Sequence, residues 1–274
     1  MLFRWLRNRR RRRILAEPFP HAWRDWLEDE VVHYARLDPE RQAQLRDLLQ
    51  VFVTEKNWEG LQGLQLTDAM KVTIAALACL LILGRPQELD FDHVLSILIY
   101  PDVFLARQQQ PNAVGVVSER REARIGEAWY RGPVILSWED VWEDARQDYP
   151  GGNVVLHEFE HQLDMSNGQL VDGTPPMRDR AEYERWVAVM EREFHTLIDR
   201  CRRCRPGVLD CYGSQNPAEF FAVATEAFFE RPTALHNHLP DLFAILHNFY
   251  ALDPAEWTRD PWGAGDRDAN ASAT

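Results

Sequence analysis

The sequence predicts an α+β fold, and three observations carry that expectation. Helical apolar spacing holds over roughly the first hundred residues, a short β-branched and aromatic stretch punctuated by glycine runs from Asn112 to Trp138, and helical spacing returns from Asn153 to about Tyr250. Helices, a small mixed sheet and then helices is therefore the expected order. With 274 residues, of which 45% are hydrophobic, the chain is long enough to bury a sizeable core. The expected organisation is one domain over residues 18–258, preceded by a basic leader at 1–17 and followed by a flexible tail at 259–274.

The leader, "MLFRWLRNRRRRRILAEPF", has an unbroken run of arginines from Arg9 to Arg13 directly after Leu2, Phe3, Trp5 and Leu6. It lacks the apolar stretch of about 7–15 residues that a secretory signal places after its charges. It reads as a solvated leader, with weak contact to an anionic membrane surface through Arg9–Arg13 as the functional alternative. Helices are expected over about Pro20–Ala35, Pro39–Lys56 and Thr67–Leu83, with a further one over Phe91–Leu98. The long apolar run from Ala69 to Gly84 contains Lys71 and falls short of the ~20 residues needed to cross a bilayer, so it is expected to be a buried core helix.

Segments "AVGVVSER", "EARIGEAWYRG" and "GPVILSWEDV" read as strands with tight turns. Pro133, Val134, Ile135, Leu136, Ser137 and Trp138 form a plausible edge strand just before the next helix, and Gly132-Pro133 at its head suits an edge. Such an edge can bind an extended peptide through main-chain hydrogen bonds.

Charge and cysteine usage narrow the function classes. A formal net charge of −12 would repel a long polyanion from most of the surface, which argues against nucleic acid. Cys79 lies in an apolar helix while Cys201, Cys204 and Cys211 cluster, which does not look like a secreted disulfide framework; a reducing, cytoplasmic setting is expected. "CRRC" has the spacing of half a structural zinc site, but Cys211 supplies only a third thiolate, and adding His195 matches no standard arrangement. His236, His238 and His247 read as structural or surface residues.

The chemistry concentrates in "NVVLHEFEHQLDMSNG". Asn153 is a good N-cap, Val154, Val155 and Leu156 begin an apolar helix, and Asn167-Gly168 can end it. His157 and His161 then lie one turn apart on one face, a spacing that brings two imidazole nitrogens to one metal ion, while Glu158 stays off the metal beside its water. Asp164 extends that face and could accept the free ring N–H of a ligating histidine. Three fixed positions are a modest signal alone, but the first turn is too apolar for a surface face, and buried histidines need partners. A third ligand is available in "CYGSQNPAEFFAVATEAFFERP", where Glu219 and Glu226 are seven residues apart on one face of an apolar helix capped by Asn216. Glu219 also fits a capping box with Asn216, and helix geometry alone leaves the choice between the two glutamates open.

Together "GEAWYRGPVILSW", "HEFEHQLDMSNG" and "DCYGSQNPAEFFAVATEAFF" resemble the Mlc titration factor A family of zinc peptidases, from about Pro18 to Trp257. The resemblance implies a zincin-like, gluzincin-type fold with a core similar to that of anthrax lethal factor, and a cytoplasmic enzyme with one zinc ion. It also implies aminopeptidase-like cleavage of short peptides and association, in some members, with the repressor Mlc. By position it implies His157, His161 and Glu219 as metal ligands, Glu158 as catalytic base and Tyr212 as a tyrosine facing the site. Glu226, roughly 10 Å further along the helix axis than Glu219, then suits a hydrogen bond to a ligating histidine. The dense arginine run and the cysteine cluster depart from the family pattern and leave its partner open. A non-catalytic binding protein on the same fold, or a zinc hydrolase of non-peptide amides, are the alternatives. Glu158 argues against a pure binder, which has no need of a base.

Overall fold

A computed structural model describes residues 2–102, 132–146, 152–167 and 171–257. The expected strands between Asn112 and residue 131, and the C-terminal tail, lie outside the described residues. Helix α1 (Leu2–Ala16) corrects the expectation of a solvated leader. It lies along α4 (Pro39–Glu55), where Arg11 pairs with Glu55 at 2.8 Å and with Asp92, Arg7 also pairs with Asp92, and the Gln50 amide donates to the carbonyls of Ile14 and Glu17. Partly buried arginines with partners can hold a helix that apolar packing alone would not.

The segment expected as one helix over Pro20–Ala35 is divided into α2 (His21–Glu30) and α3 (Val32–Arg36) by Val31, whose backbone is extended at φ −119° and ψ 95°. Helix α4 starts at Asp38, whose carboxylate accepts from Arg41 N, with Pro39 in the first turn. Helix α5 (Asp68–Leu80) is capped by Thr67 and buried at every residue from Val72 to Leu80. It is the central core helix, and none of the described helices is long and apolar enough to cross a membrane.

Three short strands complete the described fold: β1 (Asn57–Gly60), β2 (Ser96–Tyr100) and β3 (Val134–Ser137). They pair in the order β1-β2-β3, with Trp58 opposite Ile97 and Leu98 opposite Ile135. All these pairings are parallel, so among the described residues the sheet is not the mixed one expected. The helix expected over Phe91–Leu98 is instead a turn followed by β2. A short apolar run such as "SILIY" has no period that separates buried strand from buried helix, and pairing on both sides decides for strand. Strand β3 ends the described sheet order; Trp138 is not part of it but opens α6 (Trp138–Arg146).

Helices α7 (Val154–Asp164), α8 (Arg180–Arg202), α9 (Pro217–Glu230), α10 (Pro232–His238), α11 (Pro240–Tyr250) and α12 (Pro254–Trp257) form the rest. Helix α9 packs on α7, and α7 packs on α5 and β3, so the two motif-bearing helices are clamped between the central helix and the end of the sheet. Phe159 on the inner face of α7 is fully buried, with its ring 5.0 Å from Phe91 and 5.6 Å from Phe52.

A buried polar pair sits where α3 meets α9. His33 Nε2 lies 3.3 Å from Glu230 Oε1. Burial, with the Arg36 charge adding to it, pulls the His33 imidazole down to about 3, so His33 is uncharged at pH 7 and the contact is not an ion pair; burial also raises Glu230.

Phe159→Ala should therefore destabilise the protein by about 3–5 kcal/mol in denaturant unfolding, through the cavity left under α7. A loss below about 1 kcal/mol would mean that the site collapses freely. Because the folded-state pKa of His33 lies below its unfolded value of 6.5, its contribution to stability is complete above pH 6.5 and is lost as pH falls toward about 3. The slope approaches one proton, about 1.4 kcal/mol per pH unit. His33→Gln should flatten the measured stability profile across that window, and an unchanged slope would refute a neutral buried His33.

Candidate metal centre

Helix α7 begins where Asn153, itself buried, accepts from Leu156 N through its side chain at 3.1 Å. Its own backbone N–H donates to Glu226 Oε2 at 2.8 Å, and its amide donates to Glu230 at 2.8 Å. The two carboxylates come from α9, so this one asparagine sets the start of α7 against α9. Gly152 precedes it because a Cβ there would sit 2.5 Å from Glu226 Oε2. The N-cap expected at Asn153 is thus present, with partners that no local pattern announces.

One turn into α7, the rings of His157 and His161 stand 4.8 Å apart and nearly perpendicular. Helix α9 starts at Asn216, which accepts from Glu219 N at 3.0 Å, with Pro217 in the first turn. The capping bond uses the Glu219 backbone and leaves its carboxylate free to reach α7. Glu219 Oε2 lies 3.0 Å from His157 Nε2, and Glu219 Oε1 lies 3.7 Å from His161 Nε2. Each of the three residues offers a donor atom within 4.8 Å of the others, and among the described residues this is the group of His, Cys, Asp or Glu side chains that could hold a metal ion.

The far sides of the two rings are also occupied. His157 Nδ1 is 2.6 Å from Glu226 Oε1, the contact expected of Glu226. His161 Nδ1 is 3.2 Å from Glu160 Oε2, a wholly buried carboxylate that sequence reasoning missed. That place had been expected for Asp164, which instead accepts from Gly173 N at 2.7 Å and anchors the following loop. Gly173 is needed there, since its φ is +78° and a Cβ would meet the Pro217 carbonyl at 2.5 Å. The apolar setting of Glu160 between Phe159 and His161 was the available signal, because a carboxylate on the buried side of a helix needs a partner.

Burial opposes charge on all these groups, yet the carboxylates win at the imidazoles. Burial lowers His157, but hydrogen bonds to Glu219 and Glu226 carry it up to about 10. His161 is raised well above its usual value against the same burial, by Glu160 and then Glu219. Burial raises Glu219, and the two histidines pull it down to about 2. Asp164 is raised to about 8 by burial and by the neighbouring Glu160, so it is largely protonated at pH 7. A field that draws protons onto two imidazoles draws a divalent cation to the same nitrogens. Two nitrogens and one carboxylate oxygen converge, with His157 Nδ1 bonded to Glu226 and His161 Nδ1 3.2 Å from Glu160, and Glu219 Oε2 is buried without an aligned hydrogen-bond partner; the donor set fits zinc.

Glu158 is half-buried on the same turn as His157, and Tyr212, half-exposed, stands with its ring 5.8 Å from that of His157. A short 3-10 turn, Cys211–Ser214, carries Tyr212, held where Asp210 accepts from Tyr212 N at 2.7 Å. Half exposure beside His157 is not the environment of a core tyrosine. A cleft of ≈ 710 Å³ adjoins the site at His157, Glu226 and Tyr212, and Asp140 and Asp144 of α6 line it together with Arg205 and Arg231. Strand β3 packs against α7, but Val134, Leu136 and Ser137 are buried and only Ile135 is partly exposed. Cys201 and Cys211 form a disulfide, against the expectation of reduced thiols, so the cysteine trio is not a thiolate metal site; Cys204 is exposed and Cys79 buried.

Comparison with known proteins places the chain in a family. The sequence profile of the glucose-regulated metallo-peptidase M90 family matches residues 5–251, beginning inside α1 rather than near Pro18. A protein of Synechocystis sp. is 36% identical over 251 residues, covering 91% of this chain and 90% of its own length. Mlc titration factor A of Salmonella arizonae is 33% identical over 241 residues, covering 86% and 94%. Mlc titration factor A of Klebsiella pneumoniae is 34% identical over 229 residues, covering 82% and 84%. With a profile that spans nearly the whole fold and relatives above 30% identity along most of their length, this chain belongs to the M90 family of metallopeptidases.

Proposed function

We propose that this chain is a zinc-dependent metallopeptidase with aminopeptidase-like preference, in which His157, His161 and Glu219 hold one zinc ion and Glu158 is the general base. The observation that carries the reading is the convergence of three donor atoms within 4.8 Å, with a carboxylate behind each imidazole. On this reading the fold is zincin-like, which the packing of α9 on α7 and of α7 on β3 supports.

A zinc ion held there would acidify a water molecule and polarise the scissile carbonyl. Glu158, one residue on from His157 and rotated about 100° around the helix, accepts the water proton during attack and delivers it to the leaving amine. The Tyr212 hydroxyl donates to the oxyanion that develops on the carbonyl oxygen. Glu226 keeps the His157 Nδ1–H directed away from the site, so that its Nε2 lone pair faces it, and the Glu160 carboxylate lies 3.2 Å from His161 Nδ1 on the corresponding side of that ring.

Asp140 and Glu143, which line the cleft from α6, suit the free amino terminus of a short peptide, which supports the aminopeptidase-like preference, while Asp144 beside them is held by Val154 N at 2.8 Å. The partly exposed Ile135 marks where β3 would meet an extended substrate. Relatives named Mlc titration factor A support a second role, association with a repressor of the Mlc type. A zinc hydrolase acting on non-peptide amides would show turnover without dependence on peptide length.

Glu158→Gln should retain one zinc per chain and the fold while losing about 10²–10⁴-fold in turnover of free aminoacyl reporters. Near wild-type activity would remove Glu158 as base, and equal turnover of amino-blocked reporters would remove the preference for a free terminus. In chelator competition, His157→Ala and Glu219→Ala should lose zinc and activity together. Glu226→Ala and Glu160→Leu should weaken zinc binding by about 10–100-fold and recover activity when zinc is added. A Glu219→Ala protein that holds zinc, beside a Glu226→Ala protein that cannot be reloaded, would show that the wrong glutamate has been named.

A further inference from the structure

Helix α1 is a basic helix with two different sides. Leu2–Ala16 contains seven arginines and no acidic residue, in a chain whose formal net charge is −12. Arg7, Arg11 and Ile14 share the side that lies on the protein: Arg7 and Arg11 take the carboxylates of Asp92 and Glu55, and the Ile14 carbonyl takes the Gln50 amide. At 100° per residue, Trp5, Leu6, Arg9 and Arg13 fall on the opposite side. There Trp5 is 57% and Leu6 48% exposed, Arg9, Arg10, Arg12 and Arg13 are exposed, and the Arg9 guanidinium stacks 5.5 Å from the Trp5 ring.

From this arrangement we infer that the outer face of α1 is a docking surface for an anionic phospholipid membrane, on which the helix lies parallel to the lipid plane. Three features favour lipid. A tryptophan and a leucine side by side present an apolar body at headgroup depth, and the flanking arginines reach phosphates while their stems lie along apolar surface. The charge complementarity is local: the carboxylates nearest the helix, Asp92 and Glu55, are already engaged by its inner side, so they do not repel lipid from its outer one. Repulsion from the rest of the acidic chain fades beyond a Debye length of about 8 Å at physiological salt, whereas the arginines act at contact. The inner ion pairs make the helix a fixed part of the surface, so binding does not have to order it first. The surface lies outside the metal centre and is independent of the reading of that centre.

The test is co-sedimentation of the full chain with phosphatidylcholine vesicles, with and without about one third phosphatidylglycerol. Wild-type protein should partition onto the anionic vesicles alone, and partition should fall steeply as salt is raised from about 0.05 M to about 0.5 M. Arg9→Ser with Arg13→Ser should reduce partition about 25-fold, from roughly fivefold per arginine, and Trp5→Ser should reduce it severalfold at all salts. All three positions are exposed, so circular dichroism and thermal unfolding should remain those of the wild type. Absence of binding, equal binding to neutral vesicles, or unchanged partition of the double variant would overturn the assignment. A single-stranded DNA oligomer that strips the wild-type protein from vesicles at equal charge concentration would assign the face to nucleic acid instead.

Discussion

The structure of the site depends on one carboxylate, that of Glu226. One of its oxygens accepts the backbone N–H of Asn153 and the other meets His157 Nδ1 at 2.6 Å, so a single side chain from α9 holds both the start of α7 and the orientation of its first histidine. A rigid two-oxygen acceptor relates the two helices as a hinge pin would, because shifting α9 along α7 breaks both contacts together. Gly152 exists to let that carboxylate approach, and Glu230, one turn further along α9, repeats the arrangement by taking the Asn153 amide. Apolar packing then surrounds the polar seam: Phe159 below α7 and the phenylalanines of α9 exclude water from it. In that low-dielectric setting an unpartnered carboxylate would be costly, and each of these has a donor or an imidazole beside it.

The price of this arrangement is a concentration of acid around two imidazoles. Glu160, Glu219 and Glu226 surround His157 and His161 closely enough that burial, which normally neutralises histidine, is outweighed. The protein thereby stores a site whose preferred occupant is positive. On other groups burial prevails: His33 is held unprotonated, and Glu230, Asp164 and Glu160 are raised. The contrast between these histidines is one of partners: His157 and His161 share Glu219, whose carboxyl they pull down, whereas His33 faces Glu230, which burial raises.

Tyr212 and the cleft are organised by different means. The turn that carries the tyrosine is set by the Asp210 carboxylate, by the packing of Gly213 against α8 and α9, and by the disulfide from Cys201 at the end of α8. The cleft beyond it is lined by acids of α6, by Arg205 and Arg231, and by Val154 and Val223 of the motif helices, so both signs of charge meet in it.

Much was legible from the sequence alone. The helix through His157 and His161, its Asn153 cap, the capped start of α9 at Asn216 and Pro217, and the burial of α5 all follow from local rules: cap chemistry, a 3.6-residue period and the length of an apolar run. The pairing of Glu226 with His157 could be anticipated because both lie at fixed positions on helices of known rise. Other features depended on contacts between distant segments. "SILIY" became a strand because β1 and β3 flank it, and the arginine-rich leader became a docked helix because Glu55 and Asp92 receive it. Asp164 does not reach His161 because Gly173, nine residues beyond it, claims the aspartate. Local periodicity tells which face of an element is apolar, but it carries no information about which distant polar group arrives at that face. Only the tertiary fold brings those partners within hydrogen-bond distance, and so only it decides which buried acids serve the site.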